Sequence, residues 1–168
     1  MDNTKIQGIV DSISYEIQKQ KSTYTADTIT LKLAEHIAKR VEQKAAEIGV
    51  HAVVAICSSA ARPVIVHCMD DSYIASYDIA LGKAYTSASI KMPTKELKAL
   101  SQPGGSLYGI QNTNDGKIVI FGGGEPLILN GKIIGALGVS GGSEKQDTFL
   151  AEYGVSILVE EAKKRLQI

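Results

Sequence analysis

The stretch Asp115–Gly142 reads DGKIVIFGGGEPLILNGKIIGALGVSGG and holds nine of the chain's 16 glycines. Three short apolar runs, Ile118–Phe121, Leu127–Leu129 and Ile133–Val139, are cut by glycines and one proline. That is the pattern of strands joined by tight turns. Asn130-Gly131 separates the last two runs. A type I′ hairpin turn needs φ > 0 at both central residues, and Asn and Gly tolerate that best. Glycines at this density also let backbones, or a ligand, approach closely.

Ser143–Leu166 predicts a closing helix, with Ser143 as N-cap and Leu150, Tyr153, Ile157 and Leu158 as its apolar stripe. Upstream, Ile74–Lys91 predicts a helix burying Ile74, Tyr77, Leu81, Ala84, Tyr85 and Ala88, with Asp70 and Asp71 before it and Pro93 ending it. Thr94–Leu100 reads as one more short helix and Gln102–Gly105 as a loop. His51–Cys57 and Arg62–Met69 read as two strands around Ser58–Ala61. Setting Cys57 opposite Arg62 puts His51 against Cys68 and Ala52 against His67. The two cysteines then lie at opposite ends, too far apart to bond. Ala34, Ile37, Ala38, Val41, Ala45 and Ile48 form a helical stripe that Asp27 or Thr28 can cap and Gly49 can end, with His36 off the stripe on the outer face. Tight connections in this order argue for an α+β fold, a mainly antiparallel sheet covered by helices.

Residues 1–26 differ in character. Ile6, Ile9, Val10, Ile13 and Ile17 make one helical face, and the polar Lys19–Asp27 follows as a linker. Such a segment is either a docking peptide for a partner surface or an extra helix packed on the domain or across a subunit interface. The domain proper then spans residues 27–168.

The 168 residues are 44% hydrophobic, enough for a real core, and 18 basic residues balance 18 acidic ones. No basic field exists to hold phosphate backbones, so nucleic acid is not an expected partner. No apolar run approaches the ~20 residues of a membrane span. The N-terminus lacks a basic region followed by an apolar one, so no secretory signal is expected. Two cysteines form no disulfide framework, and the reducing cytoplasm is the expected compartment.

Three motifs invite chemistry. Gly138-Val139-Ser140-Gly141-Gly142 matches a nucleophile elbow, but His36, His51 and His67 all precede Ser140, the wrong order for an α/β-hydrolase. Gly122-Gly123-Gly124 is followed by Glu125-Pro126 rather than the Gly-Lys-Ser/Thr of a phosphate loop. No His, Cys or carboxylate cluster has metal-ligand spacing. His67 and Cys68, adjacent on a strand, point to opposite faces. A single His or Cys still suffices for a haem iron.

GGGEPLILNGKIIGALGVSGG followed by EKQD resembles the signature of the GlcG/HbpS-like family. SLYGIQNTNDGKIVIFGGG is similar, more narrowly, to the C-terminal domain of PduO-type propanediol utilisation proteins. The helix ending in EIGV, the run MDDSYIASYDIALGKAYTSA and Pro93-Thr94 extend the likeness over most of residues 29–160. The resemblance implies a five-stranded antiparallel sheet with helices around it, a profilin/PAS-like sandwich assembled into homo-oligomers. It implies a haem-binding accessory or sensor protein rather than an enzyme, with corrinoid as the alternative ligand. It does not carry over PduO's adenosyltransferase activity, which belongs to another domain. The remaining alternatives are a corrinoid-related enzyme or reactivation factor and a structural oligomer without a small ligand. Relatives carry an acidic residue, a Gly-rich turn and an Arg where this chain has Cys57, Ser58–Ala61 and Cys68. By that likeness Lys83, Thr86 and Thr94 are expected to contact haem, and His67 or His51 to supply a stronger axial ligand. Cys68 is a soft ligand beside His67, and Gly122, Gly123 and Gly124 form a pocket wall for a flat ligand. With the stripe in residues 1–20 read as a docking peptide, the likeness to propanediol proteins implies a bacterial microcompartment as an alternative location, with a shell or cargo protein as the partner.

Overall fold

A computed structural model of the chain describes residues 27–166, together with Gln7 and Ser12. The Ile6–Ile17 stripe and most of the linker lie outside these residues. Helix α1 (Leu31–Glu47) is capped by Thr30, whose hydroxyl accepts from the Leu33 N–H at 3.3 Å. The predicted caps are used elsewhere: the Thr28 hydroxyl takes the Ser59 N–H, and Asp27 pairs with Lys132. Gly49, at φ 68°, follows the helix end, a left-handed conformation that glycine adopts without strain. Ala34, Ile37, Ala38, Val41 and Ala45 are fully buried, as the stripe requires, whereas its last member, Ile48, is 37% exposed at the helix end.

Four strands follow: β1 (Val53–Ser58), β2 (Pro63–Cys68), β3 (Gly124–Leu129) and β4 (Lys132–Ser140). They form one antiparallel sheet in the order β2-β1-β4-β3. The expectation of five strands is corrected to four among the described residues. The missing one is Ile118–Phe121, because the Val119 N–H is taken by the Thr86 hydroxyl at 2.9 Å instead of by a neighbouring strand. Asn130 and Gly131 turn the β3–β4 hairpin at φ 50° and 76°. In the β1–β2 hairpin Val53 faces Cys68 and Val54 faces His67, two residues away from the predicted register. An even slip keeps each side chain on its expected face. Cys57 and Cys68 sit at opposite ends of the hairpin, both free.

Helices α1 and α4 (Glu144–Leu166) cover one face of the sheet, packing Ile37, Val41, Leu150 and Ile157 onto Val54, Ile56, Leu127 and Leu137. Ser143 caps α4 through its hydroxyl, which accepts from the Gln146 N–H. Helix α2 (Ser76–Ile90) covers the other face, and the short α3 (Thr94–Leu100) follows it. The predicted stripe of α2 holds only in part. Ala84 and Ala88 are buried as expected, but Ile74 is 97% and Tyr77 46% exposed, and Ala80, Lys83 and Ser87, which the stripe left out, are buried. The sheet beneath offers Ala55, Ala136 and Gly138, a shallow surface on which only small side chains let the helix settle. No described helix is long and apolar enough to cross a membrane.

This close contact is testable. A Cβ at Gly138 would collide with the Ala80 carbonyl and crowd the Ala84 nitrogen. Gly138→Ala should destabilise the fold by about 1–3 kcal/mol in urea unfolding, while Gly131→Ala, with open space around its Cβ position, should cost about 1 kcal/mol through its φ alone.

Candidate functional site

The Gly-rich turn before β3 is where several predicted site residues meet. Lys83 is fully buried on α2. Its ammonium donates to the Val139 carbonyl and to Asp147 Oδ2, both at 2.7 Å, and lies 5.0 Å from the Phe121 ring centroid. Asp147 Oδ1 accepts from the Gly142 N–H at 2.9 Å. Burial pulls the Lys83 pKa below the usual lysine value, and Asp147 acts against that shift. Thr94 Oγ1 accepts from the Gly124 N–H at 2.9 Å, and Glu144 Oε1 accepts from the Gly122 N–H at 3.0 Å. A side chain at Gly123 would meet the Lys83 ammonium at 2.8 Å, and one at Gly124 would meet Thr94 Cγ2 at 2.6 Å. Lys83, Thr94 and Gly122–Gly124 are therefore brought together as a packed knot. Thr86, also fully buried, donates to the Gly82 carbonyl at 2.7 Å.

The histidines and Cys68 lie apart from it. His67, on the edge strand β2, places Nδ1 2.8 Å from Glu42 Oε1. Cys68 is exposed beside it, and the strand alternation sets the two on opposite faces, as expected. His51 Nδ1 is 2.8 Å from the Asp70 carbonyl. The ring lines a polar groove of about 470 Å³ with Tyr73, Gly141 and Ser143. Ser140 is buried, its hydroxyl hydrogen-bonded to Ser76 at 3.1 Å rather than to a histidine. The described residues contain no cluster of three His, Cys, Asp or Glu placed to hold a metal ion.

The cavity with a ligand-like character is elsewhere. It has a volume of about 360 Å³ and opens on the α2 side of the sheet, within the size range of small-molecule sites. Leu81, Gly82 and Tyr85 of α2 form one wall, Ala61 and Arg62 of the β1–β2 turn with Pro63 of β2 another, and Gly116 and Lys117 a third. Cys57 and Asp78 complete it. Its lining is mostly apolar, and two cations stand against one carboxylate. The Tyr85 hydroxyl accepts from Asn114 Nδ2 at 3.0 Å. Burial pushes the Cys57 thiol up to about 11, and it donates to the Ala84 carbonyl at 3.3 Å. The arrangement suits a flat, apolar molecule bearing carboxylates. None of the nine residues predicted from sequence lines this cavity. Arg62, Tyr85 and Lys117 come from a turn, a helix and a loop that share no spacing signal. Tyr85 stood in the sequence only as a member of the apolar stripe of α2, whereas Ala80, Ala84 and Ala88 are what face the sheet.

A further buried carboxylate had no sequence signal. Glu125 on β3 is 7% exposed, and its Oε1 has no hydrogen-bond partner. Lys95 stands 3.9 Å away and is engaged by Glu152. Desolvation first, then Glu152 and Glu96, raise the Glu125 carboxyl to about 7, with Lys95 opposing.

Comparison with known proteins comes to the same segments. Residues 29–156 match the family model described as haem degrading protein HbpS-like. The chain is 50% identical over 125 residues to an uncharacterized 15.0 kDa protein in the dhaT-dhaS intergenic region of Citrobacter freundii, covering 74% of this chain and 88% of that one. It is 30% identical over 156 residues to the corrinoid adenosyltransferase PduO of Citrobacter freundii, covering 93% of this chain. It spans only 47% of that protein's length. The solved structure of a PduOC:heme complex superposes with a TM-score of 0.75 at 32% identity, covering 77% of this chain and 94% of that one.

Two stability measurements probe these groups. Lys83→Met leaves Asp147 buried without its cation and should cost about 3–5 kcal/mol in chemical unfolding; pairing it with Asp147→Leu should recover part of that loss. Glu125 has a folded pKa above its unfolded value, so the fold is favoured while the group is protonated. That advantage is full below the unfolded pKa and fades as pH rises from about 4.5 to about 7. Glu125→Gln should therefore unfold at higher urea than the parent above pH 7, by about 1–3 kcal/mol, with the difference shrinking as pH falls.

Proposed function

The chain belongs to the haem degrading protein HbpS-like family, and on that premise we propose that it is a haem-binding protein whose α2-side cavity takes the tetrapyrrole. The observation that carries this reading is the cavity itself, an apolar slot with Arg62 and Lys117 at its rim and the Tyr85 phenol in its wall.

The residues present fit the group. Leu81, Ala61 and Pro63 offer apolar contact for a ring face, and Gly82 lets the ring approach the helix backbone. Arg62 and Lys117 would pair with propionates by charge, Arg62 with the option of a bidentate geometry. Asp78 opposes them and sets the orientation. A tyrosine oxygen is a competent haem ligand, and releasing Asn114 would free it. The Cys57 thiol, held protonated by burial, is a poor ligand. Bound haem would supply an iron able to change redox state, which suits sensing or sequestration. Lys83, Thr86, Thr94 and Gly122–Gly124 act indirectly here, by seating α2 and so the cavity wall.

His67 is the second candidate ligand. Nδ1 held by Glu42 is the arrangement that aims the other nitrogen of a ligating histidine at a metal. His67 shares the sheet face of Val54, opposite the cavity, so it would serve an iron approaching the β2 edge. Corrinoid is the alternative tetrapyrrole, because a PduO relative is named a corrinoid adenosyltransferase. The same relatives motivate a homo-oligomeric protein in a propanediol-type microcompartment, with residues 1–20 docking to shell or cargo. Deleting residues 1–24 should abolish recruitment of a fluorescent fusion to shells; unchanged recruitment refutes the docking role.

Haemin titration tests the binding site. The parent should show a Soret shift, Tyr85→Phe a different Soret position, and Arg62→Ala with Lys117→Ala an affinity loss on the order of tenfold. His67→Ala should behave like the parent. No Soret shift refutes haem binding, and a loss confined to His67→Ala moves the site to the β2 edge. Cobalamin titrated in parallel separates the two tetrapyrroles.

A further inference from the structure

The sheet has two edges of unequal character. On β3, Pro126 lacks a donor, a device that blunts strand pairing. On β2 the run PVIVHC is half-buried at Val64–His67 and carries no lysine. Its defences, Pro63 and a bulge opposite Ile56 and Cys57, are confined to one end. The Met69 N–H donates to the Ala52 carbonyl, and with the observed register this directs the backbone groups of His67 and Ile65 toward β1. Backbone groups alternate along a strand, so those of Val66 and Cys68 face away from the sheet.

We propose that β2 pairs antiparallel with β2 of a second copy of this chain, about a two-fold axis through Val66. This register sets Val66 against itself, Val64 against Cys68 of the second copy and Ile65 against His67 of the second copy. Outward-facing Val66 meets its own equivalent, so the two residues exchange both backbone hydrogen bonds. An axis through Ile65 or His67 would instead oppose groups already spent on β1. The same register carries the charges. Arg62 and Asp70, both exposed, flank β2 at its two ends. The two-fold brings each Arg62 opposite Asp70 of the other copy. A two-fold interface must be self-complementary, and an apolar centre with opposite charges at its ends meets that requirement. The pairing joins two four-stranded sheets into one continuous sheet. It does not need the haem reading, since the pairing rests on the strand edge; Arg62, which also lines the cavity, is shared by the two.

Cross-linking reads the register directly. In the full chain, Val66→Cys in a Cys68→Ser background puts two cysteines in a hydrogen-bonded pair, with Cα atoms about 5.5 Å apart, inside the range a disulfide spans. Oxidation should give a covalent dimer on the order of a hundredfold faster than Asn112→Cys in the same background, because the interface supplies a high effective concentration. Equal rates overturn the proposal. Adding Arg62→Glu should slow the cross-link about tenfold, and adding Asp70→Arg to that variant should restore it; failure of this rescue overturns the register.

Discussion

The buried Lys83–Asp147 pair is the contact on which the layers of this protein depend. One ammonium reaches the last turn of β4 through the Val139 carbonyl and the start of α4 through Asp147. Asp147 in turn holds the Gly142 N–H where the strand becomes the helix. Helices from opposite faces of the sheet are thus joined around its end. Taking a lysine fully out of water is costly, and the fall in its pKa records that cost. The carboxylate, the carbonyl and the Phe121 ring together give the charge enough partners to stay buried. The glycines nearby have the same origin, since a side chain at Gly123 would occupy the space of the ammonium.

Close seating of α2 has a second consequence. Because Ala80, Ala84 and Ala88 lie flat on Ala55, Ala136 and Gly138, the larger side chains of the helix are turned away from the sheet. Leu81 and Tyr85 then stand beside the β1–β2 turn and the Gly116–Lys117 loop, and the gap between them is the cavity. The packing that stabilises the fold and the space that can receive a ligand are two sides of one helix.

How much of this was legible varies with how local the cause is. The β3–β4 hairpin needed only Asn130-Gly131, whose φ values are a property of two residues. The α1 stripe and the Ser143 cap were likewise local. The face of α2 was not. Hydrophobic periodicity selected Ile74 and Tyr77, which are exposed, and passed over Lys83 and Ser87, which are buried. Periodicity assumes that the core wants large apolar groups, and here the opposing surface is made of alanine and glycine. Ile118–Phe121 failed for a related reason. It has strand composition, but a threonine hydroxyl on α2 takes its N–H, and that contact joins residues 33 positions apart.

By itself, then, the chain determined its main helices, its two antiparallel hairpins, the Asn130-Gly131 turn and its family, all of which are written in short-range patterns of glycine, capping residue and apolar spacing. Tertiary structure alone decided which side of α2 is inside, that Lys83 is paired with Asp147, and that Arg62, Tyr85 and Lys117 surround one cavity. These depend on how closely two layers approach, and that distance is set jointly by side chains from separate elements, which no window of the sequence contains. The Gly-rich stretch marks the difference: its hairpin was readable residue by residue, while the reason for Gly123 and Gly124 became visible only with Lys83 and Thr94 packed against them.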